Sequence, residues 1–173
     1  EPDPLAVLRN ILDTVLQRDI PNVAKVTYQD VDLIRKALTF IGRSAVDGVN
    51  PTTIAKNLGI TRYKAVEYLD LLSKAFILIQ VDPEGTNVLR EPKILMQIPY
   101  RLLYRSWDDA IGAVREDFFA TAMNMANMPF HYLKSTTGRK TPDFLLTTES
   151  GDWVVEIGGP GKGRTQFKGI RVE

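Results

Sequence analysis

Two carboxylates in the last third of the chain are spaced for chemistry. Asp143 follows Pro142 at the head of a β-favourable run to Thr147, and Glu156 lies near the end of the next run, Trp153 to Ile157. If Glu149 and Ser150 form a two-residue loop, Thr148 faces Gly151 and Asp143 faces Glu156 across a hairpin. Strand side chains alternate with period two, so an even loop places both carboxylates on one face and a three-residue loop separates them. Like charges held together raise one pKa unless a cation lies between them. Mg²⁺ takes oxygen ligands and keeps several waters. Two carboxylates and a phosphate oxygen around such an ion suit metal-assisted phosphodiester cleavage.

A second group is basic. Arg62, Tyr63 and Lys64 open a helical stretch that Thr61 caps, and their types suit phosphate or base contacts. Arg90 and Lys93, further on, can join them from a hairpin. Glu67 and Asp70 on the same helix face a polyanion poorly, so packing between domains competes with DNA contact as the role of this surface. Asn50 is a good N-cap, Pro51 suits the first helical position, and Gly59 ends that helix after Leu58. Small Ala55 lets two helices approach, and Gly59 permits the positive φ of the turn before Thr61. The pattern is a helix-turn-helix. Behind it, Phe76 to Val81 and Lys93 to Ile98 flank the turn Asp82-Pro83-Glu84-Gly85, a hairpin in the position of a wing.

The glycine-rich stretch Gly158 to Gly163 is not a Walker loop, because Gly163 follows Lys162 where Ser or Thr is required and Glu156 occupies the first glycine position. It is either a flexible connector or a loop whose amides or Lys162 touch a phosphate. His131 is the only histidine and there are no cysteines, which removes His relays, thiol catalysis, disulfides and zinc fingers. Met123, Met125 and Met128 read as core filling, and Trp107 and Trp153 as packing anchors.

The elements that position these groups follow from periodicity. Leu5, Leu8, Ile11, Leu12, Val15 and Leu16 have helical spacing, which Arg18-Asp19-Ile20-Pro21 breaks. Thr27 and Asp30 make a capping box for a helix whose inner face is Val31, Leu33, Ile34, Ala37, Leu38 and Ile41. The helix after Thr61 runs to about Lys74 with Ala65, Leu69, Leu72 and Phe76 inward. Tyr100 to Trp107 is a junction, with a domain boundary near Arg105. A helix over about Asp109 to Met125 precedes three short strands, at His131–Lys134, Asp143–Thr147 and Trp153–Ile157, with turns at Thr137-Gly138 and Ser150-Gly151. Another element begins at Thr165-Gln166. The expected fold is α+β or α/β in two domains, residues 1–105 and 106–173.

Composition sets the frame. The chain has 173 residues, 44% hydrophobic and 25% charged, as in an ordinary globular protein. A net charge of +1 gives no global pull toward nucleic acid, so DNA contact requires a local patch. No apolar run approaches the ~18 residues of a membrane span, and the absence of cysteine fits a reducing cytoplasm. The start at Glu1 and the stop at Glu173 suggest a piece of a longer chain.

Pro142-Asp143, then Glu156-Ile157-Gly158, with a helix bearing Glu116 before them and Gln166 after, resembles the PD-(D/E)XK nuclease core. The resemblance implies a helix–three-strand–helix order, Asp143 and Glu156 as metal ligands, Glu116 as the helix carboxylate and Gln166 as the polar residue of the second helix. The family's lysine falls on Gly158, which has no side chain for the task; Lys162 is the candidate replacement. Arg18-Asp19-Ile20-Pro21, the run from Leu58-Gly59-Ile60-Thr61 to Leu72, Pro92-Lys93-Ile94, Arg115 to Phe119, and Thr141-Pro142-Asp143-Phe144 are similar to a family of prokaryotic AAA-type ATPases. In that family a P-loop domain precedes a winged helix and a degenerate nuclease-like domain. The implied role is an accessory module that binds duplex DNA or its own N-terminal ATPase domain, with ATP bound only in that preceding domain. A Mg²⁺-dependent nuclease and a ligand-sensing transcription regulator are the alternatives.

Overall fold

The structure, a computed structural model, describes residues 3–85, 91–134 and 141–159. Asp3 accepts from the Leu5 N–H and Pro4 occupies the first turn of α1 (Pro4–Thr14). The expected break at Arg18–Pro21 does not occur. Pro21 has no N–H to return to the preceding turn, and the chain absorbs this by widening into a π-helical turn, Val15–Asp19, where the Ile20 N–H reaches Val15 O. The helix then continues as α2 (Ile20–Val23), and Leu16 and Ile20 both stay buried.

Capping chemistry sets the next three helices. Thr27 and Asp30 form the expected capping box for α3 (Tyr28–Arg43). Asn50 and Thr53 form another for α4 (Pro51–Leu58), which Gly59 ends at φ 66°. Thr61 caps α5 (Arg62–Lys74). At the end of α5 the Ile77 N–H bonds Leu72 O at 2.9 Å and the Phe76 N–H bonds Ser73 O at 3.0 Å. This closing turn needs a left-handed residue, and Phe76 supplies it at φ 55°. Its side chain is thereby turned outward and is 76% exposed; Ile77 takes the inward place expected of it.

The hairpin pairs β1 (Leu78–Val81) with β2 (Lys93–Met96), Leu78 opposite Met96. A helix-turn-helix followed by this hairpin is a winged-helix arrangement. A 3₁₀ turn, Tyr100–Leu103, leads to α6 (Trp107–Met125). Then β3 (Phe130–Tyr132), β4 (Phe144–Thr148) and β5 (Gly151–Val155) form an antiparallel sheet in that order. The whole is α+β. Among the described residues no helix is long and apolar enough to cross a membrane.

Strand β2 is buried on both faces. Ile94 and Met96 enter a helical core with Leu16, Ile34, Ile41 and Leu69. Leu95 points the other way, into a cluster with Val46 and Ile79 and, from beyond the expected boundary at Arg105, Ala120, Tyr132 and Phe144. The rings of Phe119 and Phe144 stack there, with Phe130 edge-on to both. The period-two alternation of one strand thus joins the two halves of the chain.

Beside β2 lies a buried ion pair. Arg101, in the 3₁₀ turn, is 1% exposed and Asp117, on α6, is 0% exposed. The guanidinium grips the carboxylate through Nε and through Nη2 (2.9 Å to Oδ1), while Nη1 donates to Ile41 O at 3.1 Å. The Met96 N–H donates to Asp117 Oδ1 at 2.9 Å. Packing elsewhere departs from expectation. Trp107 and Trp153 are 56% and 58% exposed and Met125 is 84% exposed, so they are not core anchors. Trp107 and Met125 occupy the two ends of α6, and Trp153 lies on β5, the outer strand of the sheet among the described residues.

Two stability predictions follow from this packing. Gly42 sits in α3 where an added Cβ would lie 2.4–2.7 Å from Cδ2, Cγ and Cβ of Tyr104. Gly→Ala in an open helix gains up to about 1 kcal/mol, but Gly42→Ala should lose about 1–3 kcal/mol by overpacking, read by urea denaturation. Asp117→Ala strands a buried guanidinium and should cost about 3–5 kcal/mol, with Asp117→Asn intermediate.

Candidate nucleic-acid interface and carboxylate cluster

The turn between α4 and α5 brings the first turn of α5 to the surface. Tyr63 is 80% exposed, and the side chains of Arg62 and Lys64 are 61% and 42% exposed. The N-terminus of a helix adds a favourable field for an anion. Asp70 is turned to the hairpin, where its carboxylate accepts from Gln80 Nε2 at 2.9 Å, while Glu67 remains exposed. Arg90 lies outside the described residues.

Each basic side chain is steadied from within by a carboxylate. Arg62 Nε donates to Glu91 Oε1 at 2.6 Å, and the same carboxylate accepts from the Thr52 hydroxyl (2.7 Å) and the Thr52 N–H (3.2 Å). Glu91 therefore links the first turns of α4 and α5 to the return of the hairpin. Burial pushes its carboxyl up, but Arg62 and Thr52 outweigh this and hold it below its ordinary value.

Lys64 Nζ lies 2.6 Å from Asp30 Oδ1, which also accepts from the Tyr68 hydroxyl at 2.6 Å. Asp30 Oδ2 accepts from the Thr27 N–H and hydroxyl, both at 2.8 Å. Lys64 first, then Tyr68 and Thr27, hold the Asp30 carboxyl well below the usual range against the opposing effect of burial. The capping residue of α3 thus also fixes α5.

Lys93 departs from its expected place on the basic surface. It is 9% exposed, with Nζ 2.6 Å from Glu116 Oε2 and 3.1 Å from Asp47 Oδ1. Burial pulls the ammonium down, but Glu116 and Asp47 outweigh it and raise it above its ordinary value. Burial likewise pushes Glu116 up, Lys93 opposes this, and the nearby charge of Asp143 pushes it up further.

The β4–β5 loop has the two residues anticipated from sequence: Thr148 pairs with Gly151 and Phe144 with Val155. The ladder ends there: the Asp143 N–H donates to Val155 O at 3.1 Å, and Asp143 and Glu156 lie just beyond the paired residues. Asp143 Oδ2 accepts from the Ile157 N–H at 2.7 Å. Among the described residues, no group of three or more acidic or histidine side chains is placed to hold a metal ion. Lys162 and Gln166 lie outside the described residues. Asp143 and Glu156 thus lie at the adjoining ends of β4 and β5, and Glu116 nearby is paired with Lys93.

The ties of Asp30 to Tyr68 and Lys64, Glu91 to Arg62, and Arg101 to Asp117 span 38, 34, 29 and 16 residues. Sequence marks only their local parts, such as the Thr27–Asp30 cap.

The Asp30 site makes a pH prediction. Its folded pKa lies below its ordinary value of 3.8, so the unfolded chain takes up the proton first as pH falls. The stabilisation is full above that ordinary value and is lost as pH falls from there toward the folded value. Unfolding free energy should decline more steeply below about pH 4 in the wild type than in Asp30→Asn, and parallel curves would contradict the assignment. At neutral pH Tyr68→Phe should cost about 1.5–3 kcal/mol, as for a hydrogen bond to a charged group.

Comparison with known proteins places the chain only broadly. No curated protein matches it. Among solved structures, the crystal structure of the S. aureus MepR–DNA complex is similar at 17% identity, covering 73% of this chain and 85% of that chain with a TM-score of 0.36. The model of the family described as "Domain of unknown function (DUF8612)" matches residues 1–97, the stretch from α1 through β2. The chain belongs to the DUF8612 family.

Proposed function

We propose that this chain is a winged-helix module that binds duplex DNA through the first turn of α5, as an accessory region of a AAA-type ATPase. The observation that carries the DNA reading is the joint exposure of Arg62, Tyr63 and Lys64 at the start of the second helix of a helix-turn-helix. A helix presented this way enters a major groove by its N-terminal end. Arg62 and Lys64 bind phosphates, with Tyr63 against sugar or base edge. Glu91 and Asp30 hold the two cations in place beforehand, and phosphate competes with Glu91 for Arg62. The ATPase context rests on the sequence resemblance alone and makes the preceding ATPase domain the second partner.

A transcription regulator uses the same surface. The two differ in discrimination: a regulator binds its operator typically 10³–10⁷ times more tightly than random duplex, whereas an accessory module held by an ATPase needs no such ratio.

The adjoining ends of β4 and β5 suggest a second reading, a Mg²⁺-dependent nuclease with Asp143 and Glu156 as ligands and a relocated Lys162 as the cation. The site's chemistry in that case would be polarisation of a phosphate oxygen by the ion. Asp143 and Glu156 would hold it from opposite strands.

The test is a labelled duplex followed by anisotropy across a salt series, with strand cleavage scored in EDTA and in Mn²⁺. The wild type should bind with log K falling linearly in log salt, and Arg62→Ala and Lys64→Ala should each weaken binding and flatten the slope by about 1. Absence of binding, or variants with the wild-type slope, would overturn the DNA reading. Cleavage in Mn²⁺ that is lost in Asp143→Asn and Glu156→Gln would establish the nuclease instead.

A further inference from the structure

A cleft of about 500 Å³ opens between α3 and the end of α4. It lies apart from the first turn of α5 and from the carboxylates of β4 and β5. Helix α3 has 16 residues and α4 has 8, so α4 covers only part of the face that α3 presents. The uncovered part leaves Leu33 and Phe40 half-buried beside Leu58, an apolar floor, with Lys36, Arg43 and Asn57 around it. The hydroxyls of Thr39 and Ser44, also at the cleft, bond back to Arg35 O (3.0 Å) and Phe40 O (2.6 Å) and are satisfied within their own helix.

The charges at the rim have one sign. Lys36 and Arg43 stand two helical turns apart on one side of α3, and among the described residues no acidic one lines the cleft. Arg43 makes no ion pair among the described residues, and Lys36 has only a solvent-exposed partner one turn away, Asp32, at 2.6 Å. An exposed pair of that kind is worth a few tenths of a kcal/mol and is readily exchanged. Arg43 ends α3, where a cation also suits the helix dipole, but Lys36 lies two turns earlier and gains nothing from it. The volume falls within the 300–1,000 Å³ of small-molecule sites, and an apolar floor with a few convergent polar groups is their usual make-up.

We propose that this cleft binds a small amphipathic monocarboxylate, its ring or short chain against Leu33, Phe40 and Leu58 and its carboxylate held by Lys36 and Arg43. Charge complementarity selects the anion, and the apolar floor selects against a bare one. The proposal is independent of the DNA reading. A ligand seated here also touches the last turn of α4, which leads through Gly59 to α5.

The experiment is a titration of the ¹⁵N-labelled chain with phenylacetate, with phenylacetamide and acetate as controls and a short Glu- and Phe-containing peptide as competitor. Phenylacetate should give saturable shifts at residues 33–44 and 57–58. Phenylacetamide and acetate should each bind at least about 5-fold more weakly, and Lys36→Ala and Arg43→Ala should each reduce phenylacetate affinity about 3- to 10-fold. Both side chains reach solvent, so these variants keep the fold, and their spectra outside the cleft report that directly. Equal binding of the amide, unchanged affinity in both variants, or no saturable shifts would overturn the proposal. Shifts with the acidic peptide and none with phenylacetate would overturn it in favour of a protein partner.

Discussion

The buried pair of Arg101 and Asp117 holds the architecture together. Removing two charges from water is expensive, and their attraction compensates only when the remaining donors and acceptors are also satisfied. Here the guanidinium reaches both carboxylate oxygens and Ile41 O, and the Met96 N–H completes the set. One pair thereby specifies the positions of α3, β2, the 3₁₀ turn and α6. An apolar replacement of the same volume would leave Ile41 O and the Met96 N–H unpaired, so the ionic solution is tied to this docking geometry.

The position of the basic surface descends from that docking. The hairpin is held between two cores, by Ile94 and Met96 on one side and Leu95 on the other. It is also tied to β3: the Tyr132 N–H donates to Asp82 O and the Glu84 N–H donates to Tyr132 O, both at 3.0 Å. The Tyr132 hydroxyl donates to Glu91 O at 2.8 Å. Glu91 in turn holds Arg62 and the start of α4. A residue of the second sheet therefore sets the backbone that steadies a proposed DNA contact in the first half. Lys93 serves the same end, because its ammonium bridges hairpin and α6 through Glu116.

Local chemistry was the legible part. The capping box at Thr27, the N-cap Asn50, the left-handed Gly59 and the two-residue loop of β4–β5 each involve residues a few positions apart, where types and spacing determine geometry. The misreadings share a different cause. Pro21 reads as a helix breaker, but a π-turn accommodates it because Leu16 and Ile20 gain burial on the continued helix. Phe76 reads as core by helical phase, but the closing turn of α5 reverses its direction. Lys93 reads as a surface cation, but Asp47 and Glu116, 46 positions before and 23 after it, make its burial favourable. Such ties depend on tertiary placement that no local pattern records. The Thr148–Gly151 pairing of β4 and β5 was legible as a register and the Asp30–Lys64–Tyr68 cluster was not, for the same reason.

The most direct measurement is residue-resolved mapping of a short duplex on the ¹⁵N-labelled chain. The account predicts amide shifts and line broadening concentrated at residues 50–53 and 61–64 and at Glu91, with β4 and β5 undisturbed. Perturbations centred on residues 143–157, with the start of α5 silent, would contradict it.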